Sequence, residues 1–256
     1  MAAACSGDST SAGRKAASLT HRGKTNDSAA GSVDLGSVDY TPGALSAVGS
    51  VVGTIKLDGE APPESPPITV DTKVCGNKAQ PSVEATPKGL SDVIVWVSGV
   101  KTGKALPLEK RIELSSENCA LDPRVQATVV GSTVNVFNDD KTLHKLVFIN
   151  AASGDTLATM PFFNEGQVVA SEKLAATSDI VEVRCKQHPW TRAYIAVFDH
   201  PYFAVTEKDG SFRIDSLPPG NYTVNVWHEG MKKPIAQQVQ IAAGENARLD
   251  RSVKLK

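Results

Sequence analysis

The chain has 256 residues, 41% of them hydrophobic, and a formal net charge of −1. That length can bury one or two modest cores, and a balanced charge with no arginine-rich stretch interleaved with aromatics excludes a nucleic-acid surface. Fifteen prolines, short runs rich in Val and Thr, and no long apolar segment at helical period point to an all-β protein.

Residues 1 to about 47 read as a flexible tether. Ala, Ser and Gly supply 26 of the first 50 residues, leaving too little large apolar surface to offset the entropy of ordering. Ala2 to Ala4 before Cys5, followed by Ser6, Gly7 and Asp8, resemble the cleavage box of a bacterial lipoprotein. The resemblance implies a lipid on Cys5, an N-terminal membrane anchor, and a place in the bacterial periplasm or cell envelope. The positive and apolar regions of a signal peptide do not precede the box, so an ordinary cysteine in a loose tail is the alternative. His21, in the same tether, carries no reading.

The ordered part is expected from Val48. Residues 48–57 alternate small and β-branched side chains and turn at Asp58-Gly59, a strand and a turn. The loop carrying Pro62, Pro63, Pro66 and Pro67 is too proline-dense for a central strand. Residues 93–97 (VIVWV) form an apolar run to be buried on both faces. Residues 125–130 and 134–137 make the next strand pair, hinged at Gly131. After an Asn138-Asp139-Asp140 turn, residues 146–149 form another strand; the acidic pair suggests a hard cation less than ordinary turn chemistry. Residues 151–166 read as an excursion broken at Gly154-Asp155 and Met160-Pro161 and anchored by Phe162 and Phe163. A strand is expected at 167–174.

Residues 179–198 (DIVEVRCKQHPWTRAYIAVF) read as strand, ligand loop, strand. Cys185 and His188, three positions apart on a tight loop pinned by Pro189, can point into one small volume. Thiolate with imidazole suits copper, zinc or iron better than magnesium or calcium. Cys-x2-His alone is weak and reads equally as a buried thiol beside a surface histidine. His144, at another strand end, completes a His2Cys set of the blue-copper kind.

Residues 131–198 thereby resemble a cupredoxin, most closely the amicyanin-like, methylamine-utilisation-type group. The resemblance implies a Greek-key sandwich or barrel with His144, Cys185 and His188 on one type 1 copper ion. The family's axial Met falls on Thr191, a weak axial hydroxyl at most, and the Asn that ties its ligand loops together falls on Lys145. The second ligand histidine of such proteins reaches the surface through an apolar patch that docks redox partners. Trp190 suits that patch, or else caps the barrel end.

Four cysteines then sort themselves. With Cys5 lipidated and Cys185 on metal, Cys75 and Cys119 remain to pair in an oxidising compartment, although other pairings stay open; unpaired buried thiols are the bland alternative.

After residue 198 the pattern changes. Thr206, Asp209, Gly210, Phe212, Leu217 to Gly220 and Tyr222 match the T-x-x-D-G-x-F and L-P-P-G-x-Y signature of the carboxypeptidase regulatory-like module, and the segment resembles that small transthyretin-like β-sandwich. Residues 200–256 are short for a whole module, so strand 51–57 is expected to complete it. The expected division is therefore 1–47 tether, 48–199 cupredoxin-like, and 200–256 regulatory-like. His200 reads as a packed or capping histidine, and His228 as a half-exposed imidazole at a strand end, a second-site or docking role being its alternative.

No nucleophile, acid or base constellation stands out, and an enzyme is not expected. The leading expectation is single-electron transfer by one type 1 copper ion to an unidentified redox partner protein. The alternatives are copper delivery or storage and a non-redox scaffold with a carbohydrate-binding-like module and a degenerate cupredoxin; an exposed aromatic row on the carboxyl-terminal sheet would favour the scaffold, but Phe212, Tyr222 and Trp227 follow core-like alternation.

Overall fold

The structure, a computed structural model, describes Met1, Leu35, residues 39–63 and residues 65–255. Cys5 and His21 lie outside the described residues. Strands dominate; the only helical turns among the described residues are Thr72–Cys75 and Lys173–Ala175. No helix is long and apolar enough to cross a membrane.

Two β-sandwiches share the chain. In the central one, a five-stranded sheet runs Thr156–Phe162, His144–Asn150, Asp179–Cys185, Arg192–Phe198, Val125–Val129. Its four-stranded partner runs Gln167–Ser171, Thr133–Asn138, Arg111–Glu117, Ala120–Asp122. Between them lies a core that includes Leu114, Val136, Phe148, Phe162, Val183 and Ile195. Alternation is clear in Thr133–Asn138, where every second side chain is buried, as expected of a sheet with one face on a core.

The flanking sandwich draws its strands from both sides of the central one in sequence. Gly49–Leu57 pairs antiparallel with Ser211–Leu217 and parallel with Asn246–Arg248 and Arg251–Val253. Ile94–Ser98 lies between Phe203–Val205 and Gly220–Trp227, and Ile235–Ile241 closes that sheet. Residues 49–57 thus pair with carboxyl-terminal strands, the partners expected for strand 51–57, and residues 94–98, expected within the 48–199 unit, do so too. Local alternation marks a strand but not its partner. The asparagine-free turn at Asp209-Gly210 brings Gly210, at φ +76°, so close to Ile55 that a Cβ there would stand 2.3 Å from the Ile55 carbonyl.

A third apolar cluster joins the sandwiches: Ile94, Trp96 and Trp227 from one meet Val125, Tyr194 and Phe198 from the other. Tyr194 and Trp227 contact edge to face at 5.6 Å. Arg124 donates twice to the Glu229 carboxylate across this seam.

Two other expectations change. Residues 156–162 are a strand, not a loop, with Pro161 opposite Lys145. It is an edge strand, where a proline costs no ladder bond on the open side; Phe162 is buried whereas Phe163 is exposed. The end of the expected tether is strapped down as well. Thr41–Pro42 pairs with Thr102–Gly103, because Tyr40 packs on Tyr202 and donates to the Lys104 carbonyl.

Candidate metal centre

The central sandwich brings three expected ligands together at one end. His144 opens its strand and Cys185 closes the neighbouring one, which pairs with it so that Cys185 faces Leu146. A tight turn then returns His188: its carbonyl accepts from the Thr191 N–H at 2.9 Å, and the Cys185 N–H donates to the Thr191 carbonyl at 3.2 Å. Cys185 Sγ lies 3.5 Å from His144 Nδ1 and 3.7 Å from His188 Nδ1, and the two Nδ1 atoms are 3.2 Å apart. All three residues are buried, and Cys185 is the free cysteine among the described residues.

Both imidazoles are held from behind by carboxylates. His144 Nε2 donates to Asp140 Oδ2 at 2.9 Å. That oxygen also accepts from Ser116 Oγ at 2.9 Å and the Cys119 N–H at 3.0 Å. His188 Nε2 donates to Asp71 Oδ2 at 3.0 Å. Such carboxylate–imidazole pairs fix ring orientation and leave the other nitrogen free to ligate. Asp140, first read as turn chemistry, and Asp71, not singled out at all, are functional residues missed in the sequence. Asp140 was within reach, standing four residues before His144; Asp71 carries no local signal.

The electrostatics agree with a thiolate–imidazole cluster. Burial pushes the Cys185 thiol up, but hydrogen bonds from His144 and His188 and from the backbone override it and bring it down to about 5. Burial opposes charge on His144, yet Asp140 and Cys185 raise it to about 9. His188 is raised too, against burial, by Cys185 and Asp71. Asp140 is held below the usual carboxylate range despite burial, through His144, the Cys119 N–H and Ser116. An anionic thiolate and two oriented imidazoles form a set suited to copper or zinc.

Other residues fall out differently. Thr191 is buried, and its hydroxyl donates to the Cys119 carbonyl, so its proton is committed away from the cluster. The tie expected of an Asn at Lys145 is made by backbone instead: the Lys186 N–H donates to the Lys145 carbonyl at 2.9 Å. His188 does not reach the surface as a cupredoxin ligand would, because the segment carrying Asp71 covers it. Trp190 stands 5.3 Å from the His188 ring and packs, half-buried, with Ile68, Cys75 and Cys119. Cys75 and Cys119 are joined as a disulfide.

His200 and His228 are buried apart from this cluster. The Tyr202 N–H donates to His200 Nδ1 at 3.1 Å and the Gly230 N–H to His228 Nδ1 at 3.0 Å, so both rings are neutral acceptors.

The chain matches the family described as the carboxypeptidase regulatory-like domain over residues 183–255. None of the curated proteins matches it. Among solved structures it is similar to a copper-containing nitrite reductase from Thermus scotoductus SA-01, at 19% identity and TM-score 0.32, over 41% of this chain and 25% of that one. It is also similar to a purple cupredoxin from Nitrosopumilus maritimus, at 23% identity and TM-score 0.29, over 34% of this chain and 97% of that one. A variant of amicyanin in its reduced state is similar at 16% identity and TM-score 0.29, over 36% of this chain and 85% of that one. The match thus spans a quarter of the nitrite reductase. The structural neighbours are cupredoxins, and the carboxyl-terminal part matches the carboxypeptidase regulatory-like domain.

Proposed function

We propose that the chain is a type 1 copper protein that carries single electrons between partner proteins in the bacterial cell envelope. The observation that supports this most is the convergence of His144 Nδ1, His188 Nδ1 and Cys185 Sγ, whose atoms all lie within 4.8 Å of one another. Bound copper would supply a one-electron couple. The chain's own part is to keep the donors fixed. Asp140 and Asp71 set the ring orientations, paired strands hold His144 and Cys185, and the buried shell excludes water. A site that moves little between charge states suits electron transfer, since reorganisation is what slows it. Trp190, half-buried with its ring 5.3 Å from that of His188, is the aromatic offered to a docking partner.

Titration of the reduced, metal-free protein with Cu(II) tests this by visible absorption and electron paramagnetic resonance. An intense thiolate-to-copper band, lost in Cys185→Ser, is the expected result. No band, with Cys185 free, would overturn it.

Copper storage or delivery is a second reading, favoured by the cover over His188 where a docking edge would be. The carbohydrate-binding reading has less support. Phe212 and Trp227 are buried, and Tyr222 is half-buried with its hydroxyl donating to the Pro218 carbonyl, so these residues make no exposed aromatic row.

A further inference from the structure

The disulfide sits against the metal centre. Cys75 Sγ, Cys119 Sγ and a ring nitrogen of His188 lie within 4.8 Å of one another. Cys119 Sγ, an Asp140 oxygen and a ring nitrogen of His144 do so as well. Cys119 therefore stands beside both histidines. Two donors on one ion are separated by at most about twice a metal–sulfur bond of roughly 2.3 Å, or about 4.6 Å. The 4.8 Å within which the three atoms lie is close to that span, and opening the S–S bond frees the two sulfurs to part around an ion.

Cys75 is delivered by a surface segment. The Ile68 N–H donates to the Asn77 carbonyl at 3.1 Å and closes a loop on which residues 69–73 and 76–78 are exposed while Cys75 points inward. Asp71, at the front of that loop, holds His188, and the disulfide at its back holds Cys119. One layer of chain thus separates the disulfide from solvent.

We propose that Cys75, Cys119 and His188 are a second donor set, closed as a disulfide and opened by a dithiol reductant, that holds copper(I). In the opening step the reductant supplies two electrons and two protons. Its own S–S bond forms, the Cys75–Cys119 bond breaks, and two thiols result. Each thiol releases its proton when the ion binds, and copper stays monovalent throughout. Soft thiolates select copper(I), so reduction presents two of them beside His188. Because His188 belongs to both sets, the stoichiometry stays at one ion and retention changes. Cys185 lies outside the new set, which separates this inference from the electron-carrier reading.

The test is competition for copper(I) between the full chain and a colorimetric copper(I) chelator, without oxygen, before and after a phosphine reductant, with thiols counted. Wild type and Cys185→Ser should both gain retention on reduction, because soft thiolates added to the site favour copper(I). Cys75→Ser combined with Cys119→Ser should show no dependence on the reductant. In wild type, X-ray absorption should show more sulfur neighbours per copper after reduction, a readout that does not require the variants to fold. Release of two thiols without a gain, a gain that persists in the double variant, or a disulfide that resists the phosphine in the folded protein would each overturn the proposal. A gain on reduction without any thiolate-to-copper band in the oxidised protein would sink the electron-carrier reading and leave this one standing.

Discussion

Asp71 and His188, 117 positions apart in the chain, meet at 3.0 Å with the Nε2–H donating to the carboxylate. His144 has the same arrangement with Asp140, four positions away. The two pairs differ in exposure: the Asp140 side chain is 3% exposed and that of Asp71 is 52%. Removal of such an outer partner costs roughly 10- to 100-fold in metal affinity. Asp71→Asn should fall near the low end because water can replace it, and Asp140→Asn near the high end. Copper competition assays on both variants check the ranking; equal affinities for Asp71→Asn and wild type would remove Asp71 from the site.

Copper uptake should depend on pH because metal and protons compete for the same atoms. His144, raised to about 9, is protonated in the metal-free protein over most of the accessible range, whereas Cys185, lowered to about 5, is already a thiolate at neutral pH. Affinity is therefore expected to rise with pH up to about 9, and to fall more steeply below about 5, where the thiol must also ionise. Proton release measured during loading at pH 7 and at pH 4.5 gives the sign; no release at pH 7 would contradict a charged His144.

Acid should destabilise the metal-free fold through two other histidines. Burial lowers His200 to about 4, and burial followed by the Arg124 charge lowers His228 to about 4. Both stay neutral when folded, but the unfolded chain takes up protons near the ordinary value of about 6.5. Their stabilising contribution is thus complete above that value and is lost as pH falls toward about 4, at about 1.4 kcal/mol per pH unit for each residue. Denaturant midpoints at pH 7 and pH 5 should differ accordingly, and less in His228→Gln. A variant as acid-sensitive as wild type would argue against His228 as a source.

The seam between the sandwiches rests on the Arg124–Glu229 pair, whose side chains are 7% and 11% exposed. Burial pushes Glu229 up to about 7 although Arg124 pulls the other way. Removing one partner of a buried pair costs about 3–5 kcal/mol. Arg124→Met should fall toward the lower figure, because Glu229 can take a proton once it loses its partner. Urea unfolding at pH 7 measures it; a change below about 1 kcal/mol would mean the apolar cluster alone holds the seam.

Gly210 tests the join between the early strand and the Asp209-Gly210 turn. Its carbonyl accepts from the Ile55 N–H at 2.9 Å, its φ is +76°, and a Cβ would also meet Gly89 Cα at 2.7 Å. Gly210→Ala should therefore cost more than the roughly 1 kcal/mol of an ordinary positive-φ substitution, seen as a lowered unfolding midpoint. An unchanged midpoint would show that the early strand is not pressed against this turn.

The sequence by itself determined the all-β character, the Asp209-Gly210 turn, and the trio His144, Cys185 and His188. Those features are local: alternation sets a strand, a turn dipeptide sets a bend, here between strands of two sheets, and ligands at strand ends inherit the strands' placement. Only the tertiary structure decided that residues 94–98 join the carboxyl-terminal strands, since an apolar run reads the same whichever partner it takes. It also decided that the family match beginning at residue 183 includes Arg192–Phe198, a strand hydrogen-bonded within the central sandwich, while Gly49–Leu57 occupies the flanking one. The burial of His188, its partner Asp71, and the disulfide beside it depend on a loop more than a hundred residues upstream. Contacts at that range are set by the packing of finished surfaces, and no short stretch of sequence encodes them.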